Sequence, residues 1–496
     1  FNQKQGVLTI PFTKDGNCLV YGSTGNGKTT FLTSLCYALI KNHTAEELNL
    51  YIMDFGSETL KIFENAPQVG GVIVSSDEEK TINFIKMLHG EIERRRNLFS
   101  EYGGDYQEYI RNSGKTEPNI VVVMNNYSGF AEQYEDLQDE FSLLTRDGVK
   151  YGIYFAVTAS SVNAVRYKTQ QNFKNMLTMQ LNDATDYSIV VGKTDGLIPS
   201  KYKGRGLVAL ERVYEFQTAY CRNVADMQDY LREFCKELKQ NSDAVAKPIP
   251  ILPDVVNFDY VSKYTDGIRN IPIGVGKKSL NVLGINLQNK VIYPFVSQEI
   301  YEMIPFVEEF VRVLSSCKPA IIIDAEQALS SDLKECAAFI TGNYESFVLD
   351  LFNEMVLRNN TYKDAGLNPA SLDSFEEQVY VIVGMKRLLE QLSADSKDKL
   401  STLLEKGEAI FKLHFVIIES VSGYGSFSYD AWYKRHLNGT DGVWIGDGIA
   451  DQYFLKISKV TSDLYEEIGN DYGYLVSRNR PTLMKALSHD LSGEVM

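Results

Sequence analysis

The clearest chemical signature in the chain is the run Gly22-Ser23-Thr24-Gly25-Asn26-Gly27-Lys28-Thr29, followed by Thr30. It matches the pattern GxxxxGK[ST]. Glycines at this spacing let the backbone wrap closely, so that successive N–H groups face one anion. The run follows an apolar segment, residues 18–21. It precedes Phe31, Leu32, Leu35, Cys36 and Leu39, which recur at helical spacing. A helix that begins here points its positive end at the same anion. The expected ligand is a nucleoside triphosphate, with Lys28 on the β- and γ-phosphates and the Thr29 hydroxyl on Mg²⁺.

Hydrolysis asks for more than binding. One acid at the end of a neighbouring strand holds Mg²⁺ through water, and a second polarises the attacking water. The strand in that place, residues 120–124, ends in Asn125-Asn126. An amide carries no charge and is not a base, and losing a general base typically costs ~10²–10⁴-fold. Asp54 closes an adjacent apolar run and offers either a substitute metal acid or a turn cap. Thr158 closes the next run and reads as a γ-phosphate sensor or as core. Arg146 and Lys150 are candidates for a charge finger across a subunit boundary. Arg94-Arg95-Arg96, beside Glu91 and Glu93, reads as a solvated helix face rather than a nucleic-acid patch.

The elements that must position these residues follow from periodicity. Strands are predicted over 7–12, 18–21, 50–55, 120–124, 152–158, 207–210 and 216–221, and helices over 29–40, 79–99 and 224–240. Strands alternating with helices predict an α/β module with a mostly parallel sheet covered on both faces. Pro248, Pro250 and Pro253 mark residues 241–257 as an extended linker between a module at 1–240 and another at 258–496.

The second half echoes the first. VLGINL at 282–287 matches VLTIPF at 7–12, and VIYPF at 291–295 matches CLVYG at 18–22. Residues 320–329, 379–385 and 414–420 match 51–60, 121–126 and 154–160. The expectation is two tandem copies of one α/β module. The second copy is degenerate: residues 294–303 read PFVSQEIYEM, without a glycine cradle or a Lys-Thr pair, and its acid strand ends in Gly384-Met385. The aromatic segment 423–433 reads as loop-like, either presenting contacts or buried. The glycine-punctuated segment 442–451 is expected to parallel Gly204–Val208.

Composition bounds the partners. The 496 residues carry 50 Lys and Arg against 65 Asp and Glu, a net charge of −15, so the chain lacks the footprint of a general DNA coat. No apolar run reaches the length of a membrane span. The six cysteines are scattered with no CxxC; Cys18 and Cys36 sit in apolar patterns as expected buried thiols, suiting a reducing compartment. The opening FNQKQGV has no Met and no signal peptide, so excision from something longer is expected.

In combination, residues 22–30, 51–73, 90–103, 151–160, 182–192 and 204–208 resemble the FtsK/SpoIIIE family of ring motors. Their arrangement, an intact module before a degenerate one, resembles the second and third ATPase-like (RecA-like, P-loop NTPase) modules of the motors of type VII protein secretion. The resemblance implies ATP with Mg²⁺ at Gly22–Thr30, and Asn125 and Asn126 in place of the family's Asp-Glu pair. Where the family shows GR-x-x-GIH, this chain has Gly148-Val149-Lys150-Tyr151-Gly152-Ile153-Tyr154, without the Arg and the His. Both departures lead us to expect nucleotide binding with weak or no hydrolysis. The resemblance further implies an upstream motor module and a membrane part in the same polypeptide, placing a soluble fragment at the cytoplasmic face of the cell membrane. A hexameric assembly and recognition of helical-hairpin secreted proteins by the second module are also implied. The alternatives are a DNA translocase, disfavoured by the acidic balance, and a docking module that uses ATP as a structural ligand.

Overall fold

A computed structural model describes residues 6–263 and 270–489. The chain divides into two compact units, Phe1–Ile251 and Leu252–Met496. Strands of the first are β1 (Cys18–Tyr21), β2 (Leu48–Asp54), β3 (Val69–Val74), β4 (Asn119–Asn125), β5 (Ile153–Ala159), β6 (Asn175–Met179), β7 (Arg205–Ala209) and β8 (Val213–Gln217). They form one sheet in the order β3-β2-β4-β5-β1-β6-β7-β8. It is parallel from β3 to β6, and β7 and β8 close it antiparallel. The strands β1, β2, β4 and β5 are buried along nearly their whole length, as expected for a sheet covered on both faces. On one face Phe31, Leu32, Cys36 and Ile40 of helix Lys28–Asn42 pack on Val20, Ile52 and Val123. On the other, Phe84, Leu88 and Phe99 of helix Glu78–Phe99 pack on Leu19, Met53 and Val122.

Some sequence expectations give way here. Residues 7–11 form no strand and lead into a single helical turn, Phe12–Asp15. The last strand is Val213–Gln217 rather than 216–221. β3 and β6 went unread because Gly70-Gly71 and the polar Asn175 dilute their β signal. Part of the Pro-rich segment expected as an extended linker runs along the sheet. Ala246 N donates to Pro67 O at 2.7 Å, Ile249 N to Gly70 O at 3.1 Å, and Tyr51 Oη to Lys247 O at 2.7 Å, along the outer edge of β3.

The second unit contains β9 (Ile271–Gly276), β10 (Val282–Ile285), β11 (Ile292–Ser297), β12 (Ala320–Asp324), β13 (Ala338–Ile340), β14 (Gln378–Val383), β15 (Leu413–Ser420), β16 (Gly442–Ile445), β17 (Tyr472–Ser477) and β18 (Arg480–Ala486). Read from one edge, the order is β13-β12-β14-β15-β11-β16-β17-β18-β9-β10. Its first eight strands match those of the first unit one for one, so the chain is two tandem α/β modules with mostly parallel sheets. This topology corrects one sequence parallel. β16 pairs parallel with β11, as β6 does with β1, so 442–451 is not the counterpart of Gly204–Val208. That role falls to β17, where a Cβ on Gly473 would meet Trp444 O at 2.3 Å, just as one on Gly206 would meet Thr178 O at 2.4 Å. The aromatic segment is two short helices, Val421–Ser426 and Ala431–His436, and Tyr424, Phe427 and Trp432 are core, leaving Tyr429 exposed.

A pair of buried arginines repeats with the fold. Arg95 is 1% exposed: Nε pairs with Glu91, and its two terminal nitrogens donate to Tyr151 O at 2.8 Å and Pro118 O at 2.7 Å. Arg358 is 2% exposed, with Nε on Glu354 and Nη1 on Phe411 O at 2.7 Å and Glu376 O at 3.1 Å. Each clamps its helix to the residues that lead into the two central strands, β4 and β5 or β14 and β15. Arg95 is therefore an internal clamp and not part of a solvated face.

Candidate nucleotide site

β1 delivers the chain into the loop 22–27, and helix Lys28–Asn42 leaves it. Gly27 has φ +100°, and a Cβ there would lie 3.0 Å from Gly204 N and 3.1 Å from its Cα. Both the left-handed turn and the close approach require glycine. No side chain caps the helix that starts beside it, so its first-turn N–H groups remain available to an anion. The loop is backed from outside. Ser23 N donates to Gln180 O at 2.8 Å, Asn26 Nδ2 to Ser23 Oγ at 2.6 Å, and Gly204 N to Asn26 O at 3.1 Å. Gln180 was not singled out by sequence; the GRG at 204–206 was the available signal for the rest.

Lys28 Nζ donates to Gly22 O at 2.6 Å and Ser23 O at 3.1 Å. Burial holds its pKa below the ordinary lysine value, and no carboxylate partner opposes that shift among the described residues. A half-buried cation, a glycine cradle and an uncapped helix start fit a polyphosphate. Thr24, Gly25 and Thr30 are exposed and Thr29 is half-buried at the same rim.

The ends of β2, β4 and β5 meet beside this loop, with β5 between β1 and β4. Asn125 is buried; its Nδ2 donates to Asp54 Oδ1 at 2.7 Å. The Thr158 hydroxyl donates to Asn125 Oδ1 at 3.2 Å and accepts from Asn126 N at 3.0 Å. Asn126 has φ +66°, and its Nδ2 donates to Phe55 O at 2.9 Å. The four polar residues thus satisfy one another. Asp54 is fully buried and also accepts from Gly56 N at 3.1 Å and Leu60 N at 3.1 Å. Asp324 does the same at the end of β12, accepting from Ala328 N and Leu329 N in a unit whose β14 ends in Val383. The turn-capping role explains Asp54. Of the residues considered for a metal from the sequence, Asp54 is committed to backbone donors, and the Thr29 hydroxyl stands half-buried at the loop rim. Arg146 pairs with Asp147 and Lys150 lies over the Tyr151 ring; both precede β5, at the end of the sheet opposite the loop.

The second unit fills the equivalent place differently. Ser297 ends β11, paired with Ser420, and the next turn is held by a capping box in which Glu299 and Glu302 bond each other's backbone. Glu419 is buried at the end of β15, where burial raises its pKa. Carboxylates without a lysine repel a polyphosphate.

Comparison with known proteins agrees with this geometry. Residues 4–194 match the FtsK/SpoIIIE family. The chain is 23% identical over 492 residues to the type VII secretion system protein EssC of Staphylococcus aureus (strain MRSA252), an alignment covering 95% of the chain and 32% of that relative. It thus spans about a third of that relative's length. Among solved structures, EssC (ATPases 2 and 3) from Geobacillus thermodenitrificans superposes with a TM-score of 0.80 at 20% identity, over 96% of this chain and 92% of that one. Thermomonospora curvata EccC (ATPases 2 and 3), solved with a signal sequence peptide, gives 0.55 at 20% identity, over 99% and 91%. The family match lies wholly within the first unit, and the chain has the tandem fold of EssC (ATPases 2 and 3).

Proposed function

We propose that the chain is the part of a type VII protein-secretion motor that binds ATP in its first module and docks partners with its second. One observation carries the division: a glycine cradle with an unopposed Lys28 in one unit, and a carboxylate capping box in the same place in the other. Gly22–Thr30 hold the phosphates, Lys28 neutralises them, and Thr29 contributes a hydroxyl to the Mg²⁺ that accompanies the nucleotide. Asn125, Asn126 and Thr158 order the acid end without supplying a base. The nucleotide then works mainly as a bound ligand, and turnover stays below ~0.1 s⁻¹, under the 1–10³ s⁻¹ of ordinary enzymes. In such a motor an upstream module and membrane part of the polypeptide, and a ring of six, supply the engine.

Calorimetric titration with Mg·ATP tests the first half. Wild type binds, Lys28→Ala loses most of the affinity, and neither turns over at a measurable rate. Turnover of several per second that Lys28→Ala abolishes refutes the disabled-acid reading. For the second half, the helix Tyr344–Asp364 exposes Leu349, Val356 and Leu357, and Tyr429, Tyr453 and Tyr465 are exposed elsewhere on the unit. An apolar helix face and aromatic anchors suit an amphipathic helical partner. The bound signal peptide of the Thermomonospora EccC structure supports extending that chemistry here. A labelled C-terminal peptide from a helical-hairpin substrate should bind with micromolar or weaker affinity, worth ~8 kcal/mol or less. Affinity that vanishes in Lys28→Ala, or requires ATP, places the docking site in the wrong module.

A further inference from the structure

The order of the strands gives a bound triphosphate a direction. On one side of β1 the sheet runs through β5 to β4 and β2, where Thr158, Asn125 and Asp54 stand. On the other side it runs through β6 to β7 and β8. The γ-phosphate belongs towards β4 and β5, the end at which such a site positions the attacking water. The α-phosphate and the nucleoside then leave the cradle towards β6, β7 and β8.

Two segments border the helix start on that side, and they are bonded to the cradle and to each other. The first precedes β7. Gly204 N donates to Asn26 O at 3.1 Å, and a Cβ on Gly27 would lie 3.0 Å from that same nitrogen. Gln180 accepts from Ser23 N, and its Nε2 donates to Ser200 O at 2.8 Å and Tyr202 O at 3.3 Å, so one residue steadies both the cradle and this turn. The second segment follows β8. Thr218 N donates to Gly204 O at 2.8 Å, and Ser34 Oγ donates to Ala219 O at 2.7 Å. Ser34 lies one turn beyond Thr30 on the same face of the helix Lys28–Asn42.

Each segment holds a tyrosine out in solvent, two residues beyond the Gly204–Thr218 bond that closes the β7–β8 ladder. Tyr202 is 71% exposed and Tyr220 is 61% exposed. Their backbones are not loose: Arg205 N donates to Tyr202 O at 3.1 Å, and Ala219, beside Tyr220, is tied to the helix. Two flat apolar rings beside one phosphate cradle are surfaces on which a base can stack, and base–aromatic stacking is worth about 1–3 kcal/mol.

We infer that Tyr202 and Tyr220 form the seat of the nucleobase and make the site one for a nucleotide rather than for any polyphosphate. The inference rests on the ATP reading above. Calorimetric titration of the full chain with Mg·ATP and with Mg·tripolyphosphate separates the base from the phosphates. Wild type should bind ATP about tenfold or more tightly than tripolyphosphate. Tyr202→Ala and Tyr220→Ala should each weaken ATP by about fivefold or more and leave tripolyphosphate within about twofold. Tyr202→Phe and Tyr220→Phe, which keep the ring, should bind ATP within about twofold of wild type. ATP affinity unchanged in either alanine variant overturns the inference. So does equal weakening of both ligands, which makes the tyrosines supports of the cradle, and so does a wild type that binds the two ligands equally. In those three outcomes the phosphate site itself stands. A wild type that binds neither ligand refutes the ATP reading, and the base seat with it.

Discussion

Placing an acid at the end of β4, where Asn125 stands, is opposed by the structure. In Asn125→Asp the new carboxylate faces Asp54 Oδ1 across the 2.7 Å that an amide donor now spans. Two charges about 3 Å apart repel by roughly 5 kcal/mol at an effective dielectric of about 20. Protonating one of them costs less: for a reference pKa of about 3.9, a proton retained at pH 7 costs ~1.36 × 3.1, or about 4 kcal/mol. The protonated carboxyl then donates to its partner and replaces the lost bond. The folded pKa of the pair is therefore raised, so stability is retained below about pH 4 and lost as pH rises towards that raised value. We expect Asn125→Asp to be destabilised by about 1.5 kcal/mol at pH 5 and about 4 kcal/mol at pH 7, a slope of ~1.4 kcal/mol per pH unit. Urea unfolding at pH 5, 6 and 7 measures this. Both tryptophans, Trp432 and Trp444, lie in the second unit, so the loss should appear in far-ultraviolet dichroism and not in tryptophan fluorescence. Asp54→Asn combined with Asn125→Asp has one charge again, and the slope should vanish. About 1–3 kcal/mol of loss should remain, because an amide oxygen cannot replace both carboxylate bonds to Gly56 and Leu60. An Asn125→Asp protein within 1 kcal/mol of wild type at pH 7, with no pH slope, would show that the two side chains are not a sealed pair.

Other outcomes follow from buried groups. Arg95→Met leaves Tyr151 O and Pro118 O without donors and should cost ~3–5 kcal/mol in the first unit. Arg358→Met should cost as much in the second, visible by tryptophan fluorescence, and lysine at either place should not rescue, since it lacks the planar fork. Glu419 has its pKa raised by burial, so its protonated form favours folding and stability falls as pH climbs through the folded value. Glu419→Gln should flatten the decline in melting temperature of the second unit between pH 5 and pH 8; an unchanged decline would clear Glu419 of that role.

The glycine loop between β1 and the helix Lys28–Asn42, and the repeat, were legible because both are local. A glycine spacing and a continuous apolar strand such as residues 120–124 need no tertiary knowledge. The strands that were missed or misplaced depend on partners. Residues 7–12 have the pattern of a strand but pair with none among the described residues, and β6 gains its identity only between β1 and β7. The acid end was half legible. Sequence showed that Asn125 and Asn126 lack charge; it did not show that Asp54 is spent on Gly56, Leu60 and Asn125. Arg95 was misread because its two neighbours, Arg94 and Arg96, do face solvent, and one register position on a helix separates a surface charge from an internal one.

The twin arginine clamps bind the rim of each sheet that lies away from the phosphate loop. The clamps and the glycine loop thus lie at opposite ends of the same strands. Exchange of Lys28 or of the Thr29 hydroxyl then leaves the clamp untouched, whereas the buried Asp54–Asn125 pair at that same end still contributes to folding. The second unit keeps Arg358 in place while its corresponding turn is built around Glu299 and Glu302. The same separation offers a practical handle: exchanging the exposed Thr24 and Thr30 should leave the arginine clamp and the fold intact, whereas Gly27 is bound into the packing against Gly204.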